Sequence, residues 1–259
     1  MPACSDPGRP SLLHALGVHQ PGAIVSLVGA GGKTSLALWL MAEALERRWP
    51  AVCTATTHIQ KPVLQAGERL LWSEGPGFAD ELAQAIAERR PCFVAAGEAQ
   101  ETADHPGSAP ILPGRFENRK LKGLSKEDLE TLHLAHPQAL WLVEADGARH
   151  RWLKAPAPYE PLVPASTNCL LPVAAADVVG RPLDARWVHR PERVAALLRI
   201  REGEVVSAAM AAQVLVHPHG GLKNAPAAAR LVPVVTLVEQ PWAMGAARQI
   251  AQTTLTLEP

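Results

Sequence analysis

An α/β fold, with helices on both faces of a mainly parallel sheet in three layers, is what this chain predicts. Short apolar stretches of strand length alternate with longer helix-forming ones, and one of these strands runs through a glycine-rich turn straight into a helix. A second apolar strand ends in acids. The strand, turn and helix are "AIVSLVG" (23–29), "AGGKT" (30–34) and "SLALWLMAEALERR" (35–48), with Arg47 and Arg48 in the last turn, where cations suit the helix dipole.

The later elements follow in order. "AVCTATTHI" (51–59) predicts a second strand running into a polar loop, and "RLLW" (69–72), "CFVAAG" (92–97) and "ALWLVEAD" (139–146) predict further short strands. "FADELAQAIAERR" (78–90) and "SKEDLETLHLA" (125–135) predict helices, the second opening on Ser125 with Asp128 three residues on, an approximate capping box. "KAPAPYEPLVP" (154–164) has four prolines in eleven residues, which excludes a helix or a central strand and predicts a structured loop. Strand and helix signals then return in "TNCLLPVAAADVVG", "RPERVAALLRI" and "RLVPVVTLVEQ". We therefore expect one domain over residues 1–259, with a substrate or partner loop near 154–164 and a smaller C-terminal lobe as an open alternative.

Composition narrows the function classes. With Lys+Arg 25 against Asp+Glu 25 there is no basic surplus to drive binding to a nucleic-acid backbone. No apolar run approaches the ~20 residues that a membrane span needs. The opening "MPACSDPGRP" lacks the layout of a signal peptide, so we expect a cytoplasmic protein without nucleic-acid or membrane partners. Cys4, Cys53, Cys92 and Cys169 are far apart, and the last three sit in or beside apolar runs, as small buried thiols do.

The chemistry concentrates in the glycine turn. The common phosphate-loop pattern G-x-x-x-x-G-K-[ST] would need glycine at position 27, where this chain has Leu27. What remains is Gly29, Ala30, Gly31, Gly32, Lys33 and Thr34, a shorter G-x-x-G-K-T followed by Ser35. Between a strand and a helix N-terminus such a turn makes an anion site, because unpaired N–H groups and the helix dipole point to one place. Lys33 would reach the β/γ-phosphates and Thr34 would ligate Mg2+. The bland alternative is a tight turn with an exposed lysine. The short loop resembles that of Mur ligases and folylpolyglutamate synthetases, and it makes the fold P-loop NTPase-like.

Glu144 and Asp146 close the "LWLVEADG" strand on the same face, as the carboxylates of a Walker-B strand do when they hold Mg2+. Thr54, Thr56, Thr57 and His58 fall where the second strand should end, the edge at which ligands bind in open α/β sheets, and Thr57 is a candidate metal contact. Arg149, Arg151 and Lys154 follow the acids, and Arg151 or Lys154 would steady a developing negative charge. "VHRPE" (188–192) and "HPHGGLKNAP" (217–226) are weak signals alone.

Together, "GAIVSLVGAGGKTSL", "TATTHI", "GRFENRKLKGL", "LVEADGARHRWLKAPAPYEPLVP", "VHRPE" and "HPHGGLKNAPAAAR" resemble the YqeC-like family, described as selenium-dependent molybdenum hydroxylase accessory or selenium-cofactor biosynthesis proteins. The resemblance implies a cytoplasmic P-loop protein that assists maturation of molybdenum hydroxylases, with Gly31, Gly32, Lys33 and Thr34 on the nucleotide and Asp146 near the metal. It also suggests a basic residue followed by Gly-x-Pro where this chain has Lys223, Asn224, Ala225 and Pro226, and an N-K-x-D-like strand end where it has "VVTLVEQ". Without that guanine-reading element ATP leads, and GTP stays open.

The expected function is thus a Mg2+-dependent NTPase or phosphoryl or nucleotidyl transferase. One alternative is a nucleotide-gated chaperone or carrier that binds an immature molybdenum hydroxylase or its cofactor without fast turnover. Another is a Mur-like ATP-dependent ligase, for which 259 residues leave little room for the extra domains such enzymes use.

Overall fold

The computed structural model describes residues 11–99, 114–238 and 240–257. Cys4 and the first ten residues, on which the signal-peptide expectation rests, lie outside them. The protein is mixed α/β, with a largely parallel sheet flanked by helices. It divides into two compact units, Met1–Val25 with Ser35–Val143, and Ser26–Thr34 with Glu144–Pro259.

The first unit runs through α1 (Leu12–Ala15), β1 (Ile24–Gly29), α2 (Lys33–Glu46), β2 (Ala51–Ala55), β3 (His58–Pro62), β4 (Arg69–Trp72), α3 (Phe78–Ala87), β5 (Cys92–Ala95), β6 (Gly97–Glu98), β7 (Phe116–Lys122), α4 (Lys126–Ala135) and β8 (Leu140–Glu144). Residues 26–29 of β1, 33–34 of α2 and Glu144 of β8 belong to the second unit. The strand order is β1-β8-β2-β5-β4, with β2 and β4 both parallel to β5. Every residue of β2, β5 and β8 is buried, as in strands covered on both faces, which is why they read as unbroken apolar runs. Trp141, Ile24, Leu82, Ile86 and Leu129 fill the core beneath them. Each such side chain contributes about 1.5–3 kcal/mol by leaving water. Ser125 caps α4 as expected, accepting from the Asp128 N–H at 3.0 Å.

The polar loop expected after β2 is only the two-residue bend at 56–57, after which the chain re-enters a strand. β3 pairs antiparallel with β7, and β7 with β6, in a separate three-stranded sheet. "FENRKLK" is too charged for hydropathy to mark as a strand, and its pairing is set by contacts distant in sequence, such as Ile59 opposite Leu121.

The second unit continues with β9 (Leu153–Lys154), β10 (Cys169–Ala175), β11 (Val188–His189), α5 (Pro191–Leu198), α6 (Ala208–Val216), β12 (Arg230–Leu231), β13 (Val234–Thr236) and α7 (Pro241–Leu257). β10 lies beside β1 and pairs in parallel with β12 through Cys169–Leu170 and with β13 through Val173–Ala175. Pro172, which has no N–H to give, stands where one partner strand hands over to the other. The core gathers Leu153, Val178, Leu183, Val194, Leu215 and Ile250.

The proline stretch after β9 forms neither helix nor strand, in line with expectation, and its carbonyls are tied down. Arg193 Nε donates to Pro156 O at 2.7 Å, Lys223 Nζ to Ala157 O at 2.5 Å and Pro158 O at 2.9 Å, and Asn224 Nδ2 to Pro161 O at 2.8 Å. The weak-looking "HPHGGLKNAP" is therefore the strap of that loop.

Cys53, Cys92 and Cys169 are buried and form no disulfide among the described residues, and burial pushes the thiols of Cys92 and Cys169 up to about 12 and about 11, out of nucleophilic range. Among the described residues no helix is long and apolar enough to cross a membrane.

Candidate functional site

The cluster lies within the second unit, just past the C-terminal ends of β1, β8, β10 and β13, the edge where ligands bind in open α/β sheets. Its floor is the glycine turn. Gly29 has φ 91°, and a Cβ there would come 2.4 Å from Val173 O; Gly31 has φ 78°, and its Cβ would come 2.6 Å from that of Ala175. Only glycine fits either position. Ala30 N–H donates to Val173 O at 2.9 Å. The Thr236 hydroxyl donates to the Gly31 carbonyl, so both β10 and β13 fasten the turn. Because α2 begins at Lys33, with no acid in its first turn, its unpaired N–H groups open beside Gly31 and Gly32.

Lys33 does not extend into solvent. Its ammonium donates to Gly29 O at 2.6 Å and to Asp146 Oδ1 at 2.6 Å. Asp146 gives its other oxygen to Lys154, at 2.9 Å, and accepts from the Gly29 N–H at 3.1 Å on each oxygen. Lys154 has a wholly buried side chain and also donates to Gly147 O at 2.5 Å and to Glu160. Glu160 in turn pairs with Arg190, whose Nη2 donates to the Tyr159 hydroxyl at 3.2 Å. Five charges thus alternate in sign from the glycine turn to the proline loop: Lys33, Asp146, Lys154, Glu160, Arg190. Burial pushes the Asp146 carboxyl up, and the Lys33 and Lys154 ammoniums with their hydrogen bonds more than reverse this, holding it below the usual carboxylate value.

Glu144 sits differently. Its Oε1 accepts from the Thr34 hydroxyl at 2.7 Å, and burial raises its carboxyl above the usual value against the opposing pull of Lys33 and Thr34. A buried carboxylate short of positive charge beside a hydroxyl fits a divalent cation, whereas Asp146 already has both oxygens taken. Among the described residues no group of three or more His, Cys, Asp or Glu gathers around one point, so a cation here would complete its shell with water and ligand oxygens, the usual habit of Mg2+.

His189 lies directly opposite Lys154 in the parallel β9–β11 ladder. Burial, then Lys154, Arg190 and Arg149, push its imidazole down to about 3, so it is neutral at physiological pH.

Of the residues singled out from the sequence, Lys33, Thr34, Glu144, Asp146 and Lys154 meet in this cluster, on the floor made by Gly29, Ala30, Gly31 and Gly32. Ser35 is half-buried in the first turn of α2. Arg151 points elsewhere, donating to Ala185 O at 2.6 Å and Arg149 O at 3.3 Å. Thr57 belongs to the other unit, where its buried hydroxyl has no hydrogen-bond partner among the described residues. Two participants escaped sequence reasoning. Glu160 is the one acid of the proline stretch and could have been read as the counterion of Lys154. Thr236 ends an apolar strand and carries no signal but that position.

A family model described as YqeC protein matches residues 25–192. The chain belongs to the YqeC family. The matched span contains the whole chain of charges from Lys33 to Arg190 and ends before Thr236 and the Lys223–Asn224 strap. Within the family, Uncharacterized protein YqeC of Escherichia coli (strain K12) is 28% identical over 224 residues, covering 86% of this chain and 78% of that protein. No solved structure matches the chain.

Proposed function

We propose that this YqeC family member is a Mg2+-dependent P-loop nucleotide-binding protein, an NTPase or a phosphoryl or nucleotidyl transferase, with ATP ahead of GTP as ligand. The observation that carries the reading is the pairing of Lys33 with Asp146 and of Thr34 with Glu144 at the helix end of a turn where only glycine fits. The N–H groups of the turn and of the first turn of α2 bind phosphate oxygens. Lys33 exchanges Asp146 for a terminal phosphate, and Lys154 retains Asp146 when it does. Thr34 and Glu144 hold the cation, which supplies charge neutralisation for the phosphates. From the family resemblance we extend the reading to a cytoplasmic role in maturing molybdenum hydroxylases or their cofactor.

Calorimetric titration with ATP, GTP and CTP, with and without Mg2+, tests this on the wild type and on Lys33→Ala. Saturable binding that Mg2+ strengthens and Lys33→Ala removes is expected; equal binding by the two proteins overturns the reading.

One feature favours a second reading, a nucleotide-gated carrier. The alternating charges lead from Lys33 to Arg190 and Tyr159 on the proline loop, so loss of the Lys33–Asp146 contact would be felt at a surface a client could sense. Turnover that rises only when an immature molybdenum hydroxylase is added supports it, and fast intrinsic turnover counts against it.

A further inference from the structure

Two segments of the second unit, 147–152 and 181–188, are fastened together beside the glycine turn. The Trp152 N–H donates to Trp187 O at 2.8 Å, Arg151 Nε donates to Ala185 O at 2.6 Å, and the Trp152 and Trp187 rings pack with centroids 4.5 Å apart. On this indole pair lie Arg181, 4.6 Å from the Trp187 centroid and 5.6 Å from that of Trp152, and Arg186, 4.8 Å from Trp187. Arg149 precedes Arg151 in a turn in which it and His150 are consecutive left-handed residues, φ 46° and 59°, and its carbonyl accepts from Arg151 Nη1 at 3.3 Å. The ledge abuts the turn: the Trp152 carbonyl accepts from Ala175 N–H at 2.9 Å and would lie 3.1 Å from a Cβ at Gly31.

The charge here is uncompensated. The two segments carry four arginines, Arg149, Arg151, Arg181 and Arg186, against the single acid Asp184. Among the described residues none of the four forms an ion pair, and Arg151 donates only to carbonyls. In the site next door, by contrast, every lysine has a carboxylate. A guanidinium stacked on an indole uses its face and leaves its N–H edges free, the arrangement that receives a tetrahedral oxyanion through paired hydrogen bonds.

We propose that the arginine–tryptophan ledge is a second anion site, which takes a phosphate-bearing small molecule, the co-substrate of the nucleotide held by the glycine turn. The co-substrate role rests on the nucleotide reading above; the ledge as an anion site does not. A small molecule fits better than a nucleic acid, because the ledge is two short segments on a chain with no net charge rather than a basic stripe.

The test is calorimetric titration with inorganic pyrophosphate of the wild type, Lys33→Ala, Arg186→Ala and Arg186→Ala/Arg181→Ala. Two sites are expected in the wild type, of which Lys33→Ala loses one and the double variant the other. Arg186 is exposed, so its single replacement keeps the ledge folded and should weaken the second site at least about tenfold. If Lys33→Ala keeps all binding while the ledge variants lose a site, the ledge stands and the nucleotide reading falls. Loss of all binding in Lys33→Ala, unchanged binding in both ledge variants, or no binding by the wild type overturns the ledge. Tighter binding of a single-stranded 12-nucleotide RNA than of pyrophosphate by Lys33→Ala would overturn the small-molecule assignment.

Discussion

Lys33 and Asp146 face each other at 2.6 Å across the glycine turn, with side chains 6% and 2% exposed. An anion that recruits Lys33 must therefore compete with a carboxylate already in place. Asp146→Asn removes the competitor and keeps its shape. In the absence of Mg2+ its affinity for ATP should rise about tenfold, a gain near 1.4 kcal/mol. The same change leaves two buried ammoniums with one fewer anion, so stability to urea should fall by about 3 kcal/mol. Weaker Mg2+-free binding would show that Asp146 helps to hold the ligand rather than to occupy Lys33.

Glu144 and Thr34 should carry the metal dependence. Glu144→Gln and Thr34→Ala are expected to reduce the strengthening of nucleotide binding by Mg2+ at least about tenfold, with little change in binding without the metal. Burial raises the Glu144 carboxyl, and protonation would remove the hold on a cation proposed for it. The Mg2+ effect in the wild type should accordingly be full at high pH and shrink as pH falls through that raised value. Titrations at several pH values check this, and a Mg2+ effect independent of both pH and Glu144 would move the metal elsewhere.

The parallel strands and the glycine turn were legible because burial on both faces writes continuous apolar runs, and because left-handed turns against a neighbouring strand admit only glycine. Lys33, Thr34, Glu144 and Asp146 were legible for the same reason, since each follows a recognisable strand by a fixed offset. The partners Glu160 and Thr236 were hidden because they meet the site through folding of chain far away: Glu160 pairs across 30 residues with Arg190, itself only a weak signal in "VHRPE", and Thr236 reaches Gly31 across 205. The sheet β3-β7-β6 was missed because a charged strand such as "FENRKLK" has no hydropathy signature.

Lys154 should be the most stabilising member of the cluster. It lies between Asp146 and Glu160 with its side chain fully buried, so Lys154→Met leaves both carboxylates short of a partner. A loss of about 3–5 kcal/mol in chemical denaturation is expected. The pair Lys154→Met/Glu160→Gln should recover part of that loss, because it removes one of the orphaned charges, and strictly additive losses would show that Lys154 and Glu160 do not interact.

His189 gives the fold an acid-sensitive element. Its folded value of about 3 lies well below its ordinary 6.5, through burial and then the cations Lys154, Arg190 and Arg149, with Asp146 opposing them. Between these two values the unfolded chain takes up a proton that the folded chain refuses, so stability is lost as pH drops below about 6.5 and is regained as pH rises. His189→Gln removes the titration and keeps a polar side chain of similar size. Urea denaturation at pH 7.5 and 5.0 should show a smaller loss in the variant than in the wild type, while the contributions of Glu144 and Asp146 stay common to both. Equal losses would mean that the imidazole already accepts its proton within the fold, and that the cations around Lys154 do not reach it.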